Sequence, residues 1–242
     1  MAEATPQMCE QSVFDRASLP KSKDMGFDLK KTRFQPANVS GLSKEDVPKL
    51  KLKWAFGFPS AIRARSLPLL AGGFLFVGSH DGTVYALNPD TACVHWTFAA
   101  AAEVRTALTT NDWSVGSEDQ VPILYFGDII ANAYAINAAT GELIWKTKVD
   151  DHDNATVTGS PVFHSDRLYV PVSSLEVASA AEQAMNVVHS EDRWSVLMRR
   201  AVNRFGKRIL LTKRQSLPIK VPLELNSMDL PVRRSGIVQP ST

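Results

Sequence analysis

The chain has 242 residues, of which 44% are apolar and 21% are charged, and its formal net charge at pH 7 is +2. This composition is typical of a globular protein and excludes a chain that is disordered throughout. No apolar run approaches the ~18 residues that a membrane-spanning helix needs, so no membrane span is expected.

The N-terminal region carries few folding signals. Residues 1–25 show no apolar periodicity, and we predict that they are disordered. The opening MAEATPQMCEQSVFD has neither a basic start nor an apolar run, so no secretory signal is recognised in it. Cys9 and Cys93 lack the spacing of metal ligands, and we interpret both as buried or inert thiols.

One stretch of the chain occurs twice at a constant offset of 49 positions. The first copy, FLFVGSHDGTVYALNPDTACVHWTF, begins at Phe74, and the second, ILYFGDIIANAYAINAATGELIWKT, begins at Ile123. In this register Gly78 aligns with Gly127, and the tyrosine and tryptophan of the two copies also coincide. A repeat of this length indicates an architecture in which each unit buries its apolar face against the next one.

Each copy predicts short antiparallel strands. In the first copy Asp81-Gly82 is a strong hairpin signal between two apolar runs, and Asn88–Thr91 forms a turn before the closing strand with Trp96. The second copy has Gly141 at the turn position that Ala92 occupies in the first. Three or four strands in each unit, with no helical period between them, predict an all-β fold built from β-propeller blades.

Weaker copies flank this pair. Trp54 closes an earlier unit, and residues 159–170 open a further one. We therefore expect residues 26–180 to form an incomplete β-propeller of about three blades, with antiparallel sheets over residues 48–175.

The repeat pattern ends near residue 180. From Ser190 onward there are 11 Lys or Arg against 4 Asp or Glu, and we interpret residues 181–242 as a non-native basic tail that does not extend the propeller. A shifted reading frame over this region permits ADAPSGKQIWKT, which has the pattern of the second copy's AINAATGELIWKT. A frameshift near residues 178–184 is our hypothesis, and a genuine basic tail is the alternative. Nucleic-acid binding is not expected, because aromatic interleaving is limited to Trp194 and Phe205 and no recognition motif is present.

Residues 26–180 resemble the quinoprotein alcohol dehydrogenases, which use pyrroloquinoline quinone (PQQ). The segments LFVGSHDGTVYALNPDTACVHW and LYFGDIIANAYAINAATGELIW resemble the blade motif of that family. The upstream stretch KKTRFQPANVSGLSKEDVPKLKLKWAFGFP, with AAEVRTALTT, is similar to polyvinyl-alcohol dehydrogenases in particular. The resemblance implies an eight-bladed parent fold that holds PQQ and Ca²⁺ and oxidises an alcohol by hydride transfer to the quinone. It also implies a periplasmic location and, as a possible electron acceptor, a cytochrome c.

The resemblance further implies roles for individual residues. Arg105 resembles the arginine at the PQQ edge, Thr158 the hydroxyl near a PQQ carboxylate, and Ser173 or Ser174 a hydroxyl donor beside the cofactor. Glu176 resembles the glutamate that binds calcium. The alternatives are a salt bridge at the rim for Arg105 and a solvated side chain for Glu176.

Two further interpretations complete the sequence analysis. The acidic cluster at residues 150–154 lacks the glycine and distal glutamate of a calcium loop, so we interpret it as a surface loop. The residue that acts as the catalytic carboxylate is unknown, and we expect the 242-residue chain to be inactive alone. A non-catalytic propeller that serves as a scaffold for protein–protein interaction is the alternative function.

Overall fold

The structure, a computed structural model, describes residues 6–20, 32–113, 120–175, 193–198 and 210–211. Its described residues are almost entirely strands and loops, with one short α-helix at Ala37–Ser40 and one 3-10 turn at Val47–Lys49. The strands are β1 (Leu69–Ala71), β2 (Phe74–Gly78), β3 (Thr83–Leu87), β4 (Val94–Ala99), β5 (Thr109–Thr110), β6 (Ile123–Gly127), β7 (Asn132–Asn137), β8 (Leu143–Lys148), β9 (Ala155–Thr156), β10 (Val162–His164), β11 (Arg167–Ser174), β12 (Arg193–Met198) and β13 (Leu210–Leu211).

These strands form three antiparallel sheets that follow one another along the chain. Blade 1 has the order β1-β2-β3-β4, blade 2 the order β5-β6-β7-β8, and blade 3 the order β10-β11-β12-β13, with β9 also paired to β11. Sequential four-stranded sheets of this kind are propeller blades, and the predicted incomplete β-propeller is confirmed.

The repeat in the sequence is a repeat in three dimensions. Both copies carry an irregularity at the same place, between Ala86 and Leu87 in blade 1 and between Ala135 and Ile136 in blade 2. The indole N–H of Trp96 donates to the carbonyl of Ala138 at 3.1 Å. Each of these features is explained by the shared pattern of turn and strand residues, so the offset of 49 reports a real structural equivalence.

The closing tryptophans bind the turn of the following blade. The indole N–H of Trp54 donates to the carbonyl of Pro89 at 3.0 Å, and Pro89 occupies in blade 1 the position that Ala138 occupies in blade 2. A Cβ atom at Gly141 would lie 2.7 Å from the ring of Trp96, so only glycine allows this ring to approach the turn. Trp54 and Trp96 therefore each connect the end of one unit to the turn of the next.

Blade 2 is buried on both faces. Leu124 and Phe126 of β6 belong to the apolar cluster shared with blade 1, whereas Ile123 and Tyr125 belong to the cluster shared with blade 3. This alternation follows from the period of two in a strand, because successive side chains point to opposite faces. Central blades therefore need apolar residues at every position of their middle strands.

The inner edge of the sheets is identified by the contact between β5 and β10. The first strands of neighbouring blades approach each other, as expected where blades converge around a common axis. At the other edge, β8 exposes alternate and terminal residues, among them Leu143. The strands β1, β5 and β10 are therefore the inner strands.

The N-terminal segment, residues 6–20, differs from the expected disorder. The N–H of Val94 donates to the carbonyl of Gln7 at 2.8 Å, and the N–H of Gly72 donates to the carbonyl of Ser18 at 2.7 Å. The ring of Phe14 packs edge-on against Phe74 at 5.5 Å between centroids. The segment lacks periodicity because it contacts blade 1 at isolated points, the start of β4 and the turn after β1, instead of forming a full strand. Residues 1–5 and 21–25 lie outside the described residues.

Cys9 and Cys93 are joined in a disulfide bond across 84 positions of sequence, so the interpretation of both as inert thiols is wrong. The pairing follows from the path of the N-terminal segment, since the N–H of Cys9 donates to the carbonyl of Val94 at 2.9 Å. Backbone pairing thus brings the two sulfur atoms together.

The region after residue 180 also differs from expectation. β12 pairs with β11 over six residues, from Val172 opposite Arg193 to Arg167 opposite Met198, and β13 pairs with β12. The expectation that the tail does not extend the propeller is therefore wrong for these two strands. The free edge of β11 offers unpaired N–H and C=O groups, and such an edge pairs with an extended segment through backbone hydrogen bonds. Most of the predicted tail lies outside the described residues, and the frameshift remains a hypothesis about the gene.

Candidate functional site

Two crossing segments bring the chain from the outer strand of one blade to the inner strand of the next. The first passes over blade 1, where the N–H of Val104 donates to the carbonyl of Ser79 at 3.0 Å. The second passes over blade 2, where the N–H of Val157 donates to the carbonyl of Asp128 at 3.1 Å. Ser79 and Asp128 are again equivalent at the repeat offset, so both segments sit in the same way on the preceding blade.

This close approach explains the paired glycines of the repeat. A Cβ atom at Gly78 would lie 2.5 Å from Val104 Cγ1, and one at Gly127 would lie 2.3 Å from Val157 Cγ1. Any side chain at either position would push the crossing segment outward. The glycines thereby fix the height at which each crossing segment reaches the inner strand.

Arg65, Arg105 and Thr158 occupy equivalent positions in the three blades. The inner strands register as Leu69 opposite Phe76, Thr109 opposite Tyr125, and Val162 opposite Tyr169. Each of the three residues lies four positions before the first residue of these pairs. Because the pairs are equivalent, blade symmetry places the three side chains at the same level around the inner edge.

Hydrogen bonds to side-chain hydroxyls tie these approaches together. Ser66 Oγ donates to the carbonyl of Thr106 at 2.8 Å, and the N–H of Gly78 donates to Ser66 Oγ at 3.1 Å. In blade 2, the N–H of Gly127 donates to Thr106 Oγ1 at 3.2 Å, which repeats the same contact. The residues that follow Arg65 and Arg105 are therefore held rigidly by matching hydrogen bonds.

The chain around Arg105 also contacts the chain around Thr158. The N–H of Ala107 donates to Ser160 Oγ at 2.8 Å. The structure thus brings the two predicted cofactor residues to neighbouring inner strands.

A cluster of charged side chains, which we call the axial site, surrounds Glu103 at this edge. Its members are Arg65, His80, Glu103 and Arg105. Arg105 Nη2 donates to Glu103 Oε2 at 2.8 Å, and Arg65 Nη1 lies 3.7 Å from Glu103 Oε1. His80 Nε2 lies 3.9 Å from Glu103 Oε2. The side chain of Glu103 is only 9% exposed, and its charge is balanced by the guanidinium groups of Arg105, on the same crossing segment, and of Arg65, on the segment that leads into β1.

Two buried polar atoms, one in the axial site and one on a residue next to it in sequence, have no hydrogen-bond partner. They are Arg105 Nε and, on the residue before His80, Ser79 Oγ. A buried N–H or hydroxyl that makes no hydrogen bond lowers stability, and such groups often mark positions that a ligand or water completes. The axial site therefore has an unused hydrogen-bond donor, Arg105 Nε, and more positive than negative charge.

The other predicted site residues are placed as follows. Thr158 is half-buried, whereas Ser173 is exposed and pairs with Thr156 in the contact between β11 and β9. Ser174 is half-buried and pairs with Ala155. The residues that pair with Ser173 and Ser174 thus precede Thr158 in the sequence by two and three positions. Glu176, the predicted calcium ligand, lies outside the described residues.

The acidic stretch at residues 150–154 forms a compact loop. The N–H of His152 donates to Asp150 Oδ1 at 2.9 Å, and the N–H of Asn154 donates to His152 Nδ1 at 3.1 Å. In the part of the chain that the structure describes, no three His, Cys, Asp or Glu side chains are grouped as metal ligands. The loop matches the sequence-based interpretation of a surface turn.

A second buried polar network supports blade 2. Asp128 accepts hydrogen bonds from the side-chain amide of Asn132 and the hydroxyl of Tyr134, both at 2.7 Å. The hydroxyl of Tyr134 accepts one from the N–H of Ala101 at 2.9 Å. Burial, with the hydrogen bond and charge of Asp128, raises the pKa of Tyr134 well above its usual range. The phenol therefore stays protonated and links blade 2 to the first crossing segment as a structural group.

Sequence reasoning missed Arg65, Glu103, His80 and Ser79. Arg65 precedes Arg105 by 40 positions, not 49, because the loop between the first two strands is longer in blade 2 than in blade 1. A search at the offset of 49 cannot align the two arginines. A search anchored on the inner strands would have found the pair, because a basic residue lies four positions before the start of both β1 and β5.

Comparison with known proteins identifies a family model and relatives that match this chain. Residues 40–200 match the PQQ_2 family model, whose description is outer membrane protein assembly factor BamB. Two curated relatives are similar over the same region. A polyvinylalcohol dehydrogenase of a Pseudomonas species is 41% identical over 62% of this chain and 22% of its own length. A polyvinylalcohol dehydrogenase of Sphingopyxis is 39% identical over 59% of this chain and 21% of its own length.

Solved structures show the same fold. A quinohemoprotein alcohol dehydrogenase from Comamonas testosteroni matches with a TM-score of 0.54 and 18% identity, over 73% of this chain and 25% of that one. A second one, from Pseudomonas putida HK5, matches with a TM-score of 0.50 and 16% identity, over 80% of this chain and 27% of that one.

The extent of these matches is limited. The chain spans about a fifth of the length of its curated relatives. No helix among the described residues is long and apolar enough to cross a membrane. The predicted resemblance to quinoprotein alcohol dehydrogenases is confirmed at the level of the family. Since the family model covers well over half of the sequence, the chain belongs to the PQQ-type β-propeller repeat family described as outer membrane protein assembly factor BamB.

Proposed function

We propose that this chain is the N-terminal part of a PQQ- and calcium-dependent alcohol dehydrogenase of the polyvinyl-alcohol dehydrogenase type. The observation that supports this most is the axial site. Two arginines, one on the segment that leads into β1 and one on the first crossing segment, meet at one buried carboxylate, at the inner edge where blades converge. The relatives at 41% and 39% identity, both named polyvinylalcohol dehydrogenase, favour the same activity.

The residues of the axial site fit an acidic cofactor. PQQ carries carboxylate groups, and when bound it supplies a quinone that accepts a hydride from an alcohol carbon. Arg105 has a buried Nε without a partner, which is a donor suited to a carboxylate or quinone oxygen. The hydroxyl of Thr158 would donate a hydrogen bond to a carboxylate of the cofactor, and the hydroxyl of Ser173 or Ser174 would donate a second one. Glu176 is proposed as a calcium ligand on the family resemblance alone.

The compartment and the electron acceptor are part of the same proposal. Disulfide bonds persist mainly in oxidising compartments, so the bond between Cys9 and Cys93 supports a periplasmic location. The alcohol substrate and a cytochrome c as electron acceptor are proposed from the resemblance.

The test is direct binding of PQQ to the purified chain. We would titrate PQQ with and without Ca²⁺ and follow binding by calorimetry, in the wild type and in Arg105→Gln. The matched control is Arg63→Gln, which removes the same charge from an exposed position two residues before Arg65. We expect weaker binding for Arg105→Gln, by roughly tenfold or more for a lost charge-assisted hydrogen bond, and no change for the control. Equal affinities in all three proteins would contradict the proposal.

A protein-binding scaffold without catalytic activity is the second candidate. It is favoured by the family description, since an assembly factor is not an enzyme. A scaffold has no use for a cationic inner edge. Failure of the wild-type chain to bind PQQ under any calcium concentration would favour this candidate.

A further inference from the structure

We propose that Arg65 acts together with Arg105 as a two-arginine site for carboxylate groups, and that Glu103 orients the guanidinium group of Arg105. The inference rests on the proposed function in one respect: the carboxylates are taken to be those of PQQ. It adds Arg65 as a residue that determines how the acidic ligand is held.

The first step is the equivalence of the two arginines. Arg65 and Arg105 each lie four positions before the residue of the inner strand that pairs with Phe76 or Tyr125. Each is followed by a hydroxyl residue, Ser66 or Thr106, that accepts the N–H of a repeat glycine. Two arginines that occur independently on a surface would not share this backbone setting.

The second step is the way Glu103 holds Arg105. Arg105 makes a single hydrogen bond of 2.8 Å through Nη2, and its Nε has no partner. A structural pair between arginine and carboxylate commonly uses two parallel N–H donors, because the guanidinium fork matches both oxygens. Glu103 therefore orients Arg105 from one corner and leaves the Nε donor of the fork unused.

The third step is that Arg65 makes no close hydrogen bond to Glu103. Its Nη1 lies 3.7 Å from Glu103 Oε1, which exceeds the usual length of a charge-assisted hydrogen bond. Its side chain is 40% exposed, against 22% for Arg105. Arg65 is thus close enough to be attracted electrostatically by the Glu103 carboxylate, and its exposed guanidinium group is able to turn toward a ligand.

The fourth step is the charge of the group. Two guanidinium groups face one carboxylate, so one positive charge remains uncompensated within the cluster. His80, at 3.9 Å from Glu103, adds a further positive charge when protonated. A ligand with carboxylate groups completes both the charge balance and the missing hydrogen bonds.

Thr158 occupies the equivalent position in blade 3 and carries no charge. The two arginines therefore place the positive charge of these equivalent positions on blades 1 and 2, and this asymmetry gives an asymmetric ligand one orientation.

The experiment compares two ligands in the 242-residue chain. PQQ and benzene-1,2,4-tricarboxylate would be titrated by calorimetry into the wild type, Arg65→Gln and the control Arg63→Gln. We expect Arg65→Gln to raise the Kd for both ligands about tenfold and Arg63→Gln to leave it within twofold. Arg65→Lys, which keeps the charge but loses the fork, is expected to recover only part of the affinity.

The outcomes separate this inference from the proposed function. PQQ binding that is equal in the wild type, Arg65→Gln and Arg63→Gln overturns the inference and leaves the proposed function standing. Binding of the tricarboxylate, but not of PQQ, with loss in Arg65→Gln supports the two-arginine site and counts against the proposed function. Binding of neither ligand by a wild type with a cooperative unfolding transition overturns both.

Discussion

The disulfide bond should contribute a large part of the stability of blade 1. The perturbation is Cys93→Ser, with Cys9→Ser as a second variant that breaks the same bond from the other side. The bond closes a loop of 84 residues, and the chain-entropy relation assigns about 4.5 kcal/mol to a loop of that size. Measured effects commonly fall between about 2 and 4 kcal/mol, because the unfolded chain keeps some structure.

The assay is urea unfolding under oxidising conditions, with and without a reducing agent. We expect both variants to unfold at lower urea than the wild type by an equal amount, and the reducing agent to lower the wild type alone. The backbone pairing of Gln7 and Cys9 with Val94 remains possible in the variants, so the fold itself should persist. A wild-type midpoint that does not respond to the reducing agent would refute the reasoning.

Three further predictions concern stability, pH and activity. Ala92 adopts a left-handed backbone with φ of 62°, as Gly141 does at the equivalent turn with φ of 76°, so Ala92→Gly should raise the free energy of unfolding by about 0.5 kcal/mol in a urea titration; a loss of stability would contradict the turn argument. Burial lowers the pKa of His95, whose ring stacks on Phe74 at 3.8 Å, so the unfolded state binds the proton more readily. Stability should therefore be complete above the ordinary pKa of 6.5 and fall as the pH is lowered below it, by at most about 1.4 kcal/mol per pH unit, and this slope should be smaller in His95→Gln. The chain alone, supplied with PQQ and Ca²⁺, should not reduce a dye with an alcohol as substrate, because it covers about a fifth of the length of its relatives; turnover would show that the catalytic groups are all present.

The strands and their order were predictable because the repeat determines them locally. Gly82, predicted from the Asp-Gly pair, lies in the hairpin between β2 and β3 with φ of 90°. The contact of Trp54 with Pro89 likewise follows from the position of Trp54 relative to Trp96. These features depend on residues within one unit and its immediate neighbour, so the same pattern produces the same structure twice.

The disulfide and the axial site were not predictable in the same way. Cys9 and Cys93 pair through the path of a segment with no periodicity, and sequence alone does not reveal that path. Glu103 precedes Arg105 by two positions, a spacing that says nothing about its approach to Arg65. Both features arise from contacts between units whose separation in sequence varies with loop length.

The valines that cover the repeat glycines also impose an order on the folding of the blades during synthesis. The side-chain atoms nearest to Gly78 belong to Val104, and those nearest to Gly127 belong to Val157, residues that are synthesised after the whole blade has been made. Each blade therefore emerges with one end open and is closed by the first residues of its successor. Released chains that end just before Val157 should leave blade 2 sensitive to protease, and released chains that end past Val170 should protect it. Folding along this protein would then proceed as a series of delayed closures, each one blade behind the translating ribosome.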